Sequence, residues 1–146
     1  MVTDDCLEWL NFARMDITAA QDLFRMQQNP RHRPIEIILY HCQQCAEKAL
    51  KAFIVQYHGS LKRDLQIHNL QILRGECEQW DNSFLKQRII DHCSNLDPFS
   101  VAIRYPNHTM QLDSALALRG INSAKRIFNF TCQQLGLDKS HMIKIP

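Results

Sequence analysis

The chain has 146 residues, 45% of them hydrophobic, with only four glycines and five prolines and a formal charge of +2. One domain of this length buries a core without disulfides or metal, and so little glycine and proline argues against a turn-rich β architecture. Near-neutral charge does not mark a dedicated duplex-DNA binder, which carries a strong basic excess.

Asp4, Asp5 and Glu8 interrupt any apolar run at the N-terminus, so no signal peptide is expected. The apolar stretches are too short for a membrane span. Six cysteines (Cys6, Cys42, Cys45, Cys77, Cys93, Cys132) then read as reduced, buried small apolar residues rather than a secreted disulfide framework. The expected location is the cytoplasm, with no membrane contact.

The first long helical pattern covers residues 4–28. Leu10, Ala13, Ile17, Ala20 and Phe24 alternate in steps of three and four on one face. Thr3 or Asp4 caps its start, and Asn29-Pro30 ends it. Arg31-His32-Arg33 reads as a short, solvated basic connection, with Pro34 at the mouth of the next helix, where a missing N–H costs nothing.

The second helix runs over about 35–58, with Ile35, Leu39, Cys42, Ala46, Ala49 and Phe53 in the same alternation. Glu47 and Lys51 form an i,i+4 pair worth about 0.2–0.5 kcal/mol. Cys42, Ala46 and Ala49 are small enough for a neighbouring helix to approach closely. Leu50, Ile54 and Tyr57 lie beside that seam and form a second apolar face, which suits a partner copy. Gly59-Ser60 closes the helix.

Shorter helices are expected over about 67–79 and 83–96, with Asp81-Asn82-Ser83 as turn and cap. Asp97-Pro98 ends the fourth. Residues 98–108 cannot be regular helix throughout, because Pro106 disfavours helical dihedrals at Tyr105. Thr109 opens a last helix to about Leu135, with Ala117, Ile121, Ala124, Phe128 and Leu135 inward. Gly120 inside it costs about 1 kcal/mol against alanine, which points to close packing or a bend. From about residue 136 the chain is expected to be a loose tail. Long helices with short connections predict a single all-α domain over residues 1–146, an antiparallel up-and-down bundle of four to five helices.

Chemistry-bearing motifs are sparse. Cys42-x-x-Cys45, with His41 beside it, lacks the second ligand pair that a structural zinc site needs. No βαβ pattern supports a redox role, so no metal and no cofactor are expected. Residues i and i+3 of one helix also rarely reach disulfide geometry. Patterns for phosphate-cradling loops, nucleophile elbows and helical zinc proteases are missing. Lys62-Arg63 reads as a solvated loop. In IRYPNHTM, Arg104, Tyr105 and His108 surround a proline. There a guanidinium fork suits a phosphate and an imidazole suits proton transfer.

Taken together, the residues resemble the HEPN domain family. The matching elements are the frame Trp9, Ala13, Asp16, then HCQQCAEKALKAF, the step His68-Asn69-Leu70 where the family often has H-D-L, and RYP before a final amphipathic helix. The string from Gln43 to Ala52 is the most specific part, and the resemblance spans about Leu7 to Leu135. It implies a helical bundle that commonly forms a two-fold dimer. It also implies a setting in which many members pair with a minimal nucleotidyltransferase, often as toxin and antitoxin.

Two functions follow from the resemblance. The first is a non-catalytic subunit that binds a nucleotidyltransferase and has room for a nucleotide. His41, Gln44, Glu47, Lys48, Lys51, His68, Arg104 and Tyr105 would supply the contacts, Lys48 and Lys51 flanking a phosphate. The second is a metal-independent ribonuclease with Arg104 and His108 as catalytic pair in a dimer cleft, acting on an RNA partner. The family's ribonucleases space their arginine and histidine more widely. Only Tyr105, Pro106 and Asn107 stand between this pair. Arg63 and His68, or Arg25 and His32, meet the spacing but lie in other parts of the chain. The first reading is therefore preferred.

Overall fold

Thr3 accepts a hydrogen bond from the Cys6 amide, and the first helix, α1 (Asp4–Met26), starts there. The computed structural model describes residues 1–100 and 111–145. Leu10, Ala13, Ile17 and Ala20 are buried, as their spacing predicts. The basic connection is not simply solvated. Arg33 Nε donates to the Phe24 and Gln27 carbonyls at 3.1 and 2.9 Å, and Nη1 donates to Ser114 Oγ at 3.0 Å. Its guanidinium also lies 3.9 Å from the Phe24 ring centroid. A cation on the last carbonyls of a helix is the favourable end of the dipole.

α2 (Ile35–His58) is the centre of the molecule and packs against every other α-helix. The predicted seam residues are buried, and so are residues on its other sides, among them Ile38, Cys45, Leu50, Ala52 and Ile54. Leu50 and Ile54 are thus covered by the chain's own helices, not left for a partner copy. Tyr57 stays exposed and stacks on Trp80. Gly59 closes the helix at φ 90°, where only glycine is unstrained.

α3 (Leu70–Glu78) is shorter than predicted. Asn69 caps it by accepting from the Ile72 amide at 3.0 Å, and Asp97 Oδ1 accepts from the Leu70 amide at 2.7 Å. The predicted fourth helix is split. A 3-10 turn, Asn82–Leu85, is pinned by Asp81 accepting from the Ser83 amide. Extended Lys86 then separates it from α4 (Gln87–Leu96). The turn drops Phe84 into the core between Phe53 and Phe130, ring centroids 4.6 and 5.0 Å away. Packing of one aromatic side chain outweighs helix propensity here.

α5 (Ser114–Gln134) begins with Asp113 as cap, not at Thr109, which lies outside the described residues. Gly120 sits where α5 crosses α2: a Cβ there would lie 2.6 Å from Leu39 Cδ2. The expected packing reason for this glycine is therefore met. The tail is not loose. Asn129 Oδ1 accepts from the Ile143 amide at 2.7 Å, and its Nδ2 donates to the Ile143 carbonyl at 2.7 Å. Arg14 donates to the His141 carbonyl, and Met142 and Ile143 pack on the core. The architecture is an all-α helical bundle, with no strand among the described residues.

All six thiols are free and buried. Burial pushes Cys6 up to about 11 and Cys93 and Cys132 up to about 12, so these remain protonated, small apolar groups. No described helix is long and apolar enough to cross a membrane.

The glycines make a paired prediction. Gly120→Ala should lower stability by about 1–2 kcal/mol, because Leu39 is locked in the core. Gly75→Ala on α3, with nothing within 4 Å of the new Cβ, should raise it by about 0.5–1 kcal/mol. Urea unfolding of both variants measures the contrast. Equal shifts of the same sign would remove the close-packing explanation.

Candidate functional site

A charged pair on a central helix must be satisfied inside the protein or it unfolds the helix from its neighbours. Glu47 is 3% exposed and Lys51 6% exposed. The i,i+4 spacing predicted the pair, and the burial of the middle of α2 puts it in the interior. Lys51 Nζ donates to Glu47 Oε2 at 3.1 Å and stands 5.8 Å from the centroid of the Trp9 ring on α1. Glu47 Oε1 accepts from His68 Nδ1 at 2.8 Å. Gln43 Nε2 lies 3.4 Å from the same oxygen and donates to the His68 carbonyl at 2.9 Å. Gln44 Nε2 donates to Gln43 Oε1 at 2.9 Å. One carboxylate thus joins α2 to α1, through Lys51 and Trp9, and to the segment that leads into α3.

His68, Asn69 and Leu70 carry three separate tasks in succession. His68 meets Glu47 while its side chain stays 62% exposed. Asn69 caps α3, and Leu70 is fully buried.

A second network lies between α1 and α2. Asp16 is buried; its Oδ1 accepts from His41 Nδ1 at 2.8 Å and its Oδ2 from Lys48 Nζ at 2.6 Å. His41 and Lys48 are both partly exposed, at 29% and 26% of their side chains. Burial acts to raise the Asp16 carboxyl, but the hydrogen bonds from His41 and Lys48, with their charges, outweigh it. They hold the group below its ordinary 3.8.

In both networks a carboxylate accepts a hydrogen bond from the Nδ1–H of a histidine. The neutral ring then has its lone pair on Nε2, where it can accept a hydrogen bond; the protonated ring can donate one. Of the predicted site residues, the fold joins Glu47, Lys51, His68 and Gln44 in one cluster and His41 with Lys48 in the other. Arg104, Tyr105 and His108 lie outside the described residues. Asp16, Gln43 and Trp9 had not been assigned to the site. The signal for Asp16 was a lone acid within the apolar alternation of the first helix. No group of three or more histidine, cysteine or acidic side chains suited to a metal occurs among the described residues.

These networks set the acid response. A depressed Asp16 pKa contributes stability that is fully present above pH about 4 and is lost as pH falls through the folded-state value. Asp16→Asn should therefore flatten the loss of stability below pH 4 while lowering stability at pH 7 by about 1–2 kcal/mol. Unfolding titrations across that range check the slope. Glu47→Ala should cost about 3 kcal/mol by stranding Lys51, and adding Lys51→Met should recover much of that loss.

Comparison with known proteins follows the same outline. A family model described as HEPN domain matches residues 6–135. Among solved structures, the fold is similar to the crystal structure of an archaeal HEPN homologue. The two are 24% identical, with 91% of this chain and 99% of that chain covered and a TM-score of 0.64. No curated protein gives a match.

Proposed function

The chain belongs to the HEPN domain family, and on that premise we propose that it is a non-catalytic subunit that binds a minimal nucleotidyltransferase in a toxin–antitoxin-like pair. The observation that carries this reading is the closure of the α2 polar networks. The Glu47 and Asp16 carboxylates already have cationic partners within the fold. A buried ion pair of this kind fixes geometry; it does not wait for a ligand. What it leaves outward are the partly exposed edges of His41 and Lys48 and the exposed ring of His68. Polar groups held in place by a rigid scaffold suit recognition of another protein, because little side-chain freedom is lost on binding.

A nucleotide is the second ligand of this reading. Lys48, the more exposed of the two lysines, is its phosphate contact, through the ammonium donors that Asp16 does not take. The chain works as a homodimer. Phe12 and Met15, exposed and three residues apart on α1, give apolar area whose burial favours association by about 25 cal/mol per Å² before the costs of binding.

Co-expression with a minimal nucleotidyltransferase from the same genome should give a complex that survives size exclusion, and Lys48→Ala should weaken that complex. Light scattering of the chain alone at micromolar concentration should give about twice the 17.1-kDa chain mass; a monomer mass would sink the dimer. RNA cleavage in EDTA that is lost in both Arg104→Ala and His108→Ala, each still folded, would replace this reading with the ribonuclease.

A further inference from the structure

On the side of the bundle formed by α4 and α5, the electrostatics are open rather than closed. A cavity of about 310 Å³ between these helices is lined by Arg88, Ile89, His92, Asn122 and Arg126. Arg88 and His92 are four residues apart on α4, and Asn122 and Arg126 four apart on α5. Each pair therefore shares a helix face. Neither arginine enters an ion pair with a described residue, in contrast to the lysines of α2. Asp91, next to the cavity on α4, accepts from Gln87 Nε2 at 2.8 Å.

The side chains are positioned by two buried residues of α5, Ser123 and Phe130. His92 Nδ1 lies 2.9 Å from Ser123 Oγ, and Ser123 is fully buried. Asn95 Nδ2 donates to the same oxygen at 3.1 Å. With one lone pair taken by Asn95, the serine oxygen still offers a proton and a second lone pair to Nδ1, and the protonated ring carries a donor on Nε2 in either case. The Arg88 guanidinium rests 5.5 Å from the Phe130 ring centroid, a cation–π contact that holds the side chain while its N–H groups meet no acceptor among the described residues. Lys86 Nζ lies 5.7 Å from the same ring centroid and adds a further positive charge at that end.

We propose that the α4–α5 groove is a phosphate-binding site in which Arg88 and Arg126 clamp the oxyanion and His92 and Asn122 donate to it. Two planar guanidiniums on opposite walls match the geometry of phosphate oxygens, and each bond is charge-assisted. Among the described residues the lining has one apolar residue, Ile89, and, apart from the His92 imidazole, no aromatic ring to hold a base. The group recognised is therefore the phosphate itself, whether carried by a nucleotide, by a nucleic-acid strand or free as the inorganic ion.

The same geometry couples binding to protons. Burial, followed by the Arg126 charge, holds the His92 ring below its ordinary 6.5; Asp91 pulls the other way and Arg88 adds to the lowering. An anion in the groove offsets both guanidiniums and raises the ring's pKa. Affinity is then greatest below the free-state value, and the extra affinity is lost as pH rises through the bound-state value.

The test uses the purified full chain, with the His92 imidazole followed by NMR. Inorganic phosphate, adenosine monophosphate and a short single-stranded RNA are added separately in EDTA. The expected result is a saturable shift of the His92 signals and a raised ring pKa, the tightest of the three ligands identifying the source of the phosphate. Arg88→Ala and Arg126→Ala, both at exposed positions, should each weaken binding about tenfold. His92→Gln should keep binding at high pH but remove its pH dependence. Lys62→Ala, an equal loss of charge in an exposed loop, should leave affinity unchanged. If no ligand moves His92, or if Lys62→Ala weakens binding as much as Arg126→Ala, the site does not exist as described. Association with a nucleotidyltransferase is a separate measurement and does not bear on this result.

Discussion

Glu47 and Lys51 hold opposite charges in the buried middle of a helix that is enclosed from Cys42 to Val55 except at Lys48, and the arrangement of the other helices follows from that constraint. Desolvating two charges is tolerable only when their remaining hydrogen-bonding groups are met. Here the second carboxylate oxygen goes to His68 and the ammonium lies toward Trp9. The pair therefore ties α2 to α1 and to the entry of α3. A purely apolar seam would allow these elements to slide by a turn; a buried carboxylate with fixed donors on two sides does not. We regard register, more than net stability, as what these charges contribute.

The two sides of the molecule use charge in opposite ways. Between α1 and α2, cations and carboxylates are matched in number and distance, so the surface there is polar but nearly neutral. Along α4 and α5 no described carboxylate pairs with the guanidiniums: Arg88 lies against the Phe130 face, and the buried Ser123 hydroxyl meets His92. The near-neutral total of +2 conceals this division, because acidic residues elsewhere offset the basic groove. Net charge was thus a poor guide to local field.

Much of the fold was legible in the sequence because it rests on periodicity. The three-four alternation placed α1 and α2 to within two residues, and the left-handed Gly59 ended α2 where expected. The failures share a physical cause, which is that a distant contact decided a local choice. Phe84 turns into the core and breaks the fourth helix; Asn129 holds the tail; Arg33 binds the end of α1 instead of solvent. The candidate site was half legible. The string from Gln43 to Lys51 and the His68 step drew attention to the right residues. The partners Asp16 and Trp9 come from another helix: their spacing marked them as part of the first helix's frame, but nothing within that segment reports which groups of α2 they meet. Arg88 and His92 did carry a local signal, a shared helix face, but so do many solvated pairs; the buried Ser123 that orients His92 is visible only in three dimensions.

Burial of α2 around its whole circumference also says where this sequence is free to drift. A surface helix accepts change on its outer face, whereas α2 offers almost none: from Cys42 to Val55 only Lys48 escapes full burial. Substitutions therefore accumulate on the outer faces of α1, α3, α4 and α5, and partner choice can diverge there while the mast stays fixed. A bundle built this way can exchange its associations without rebuilding its core.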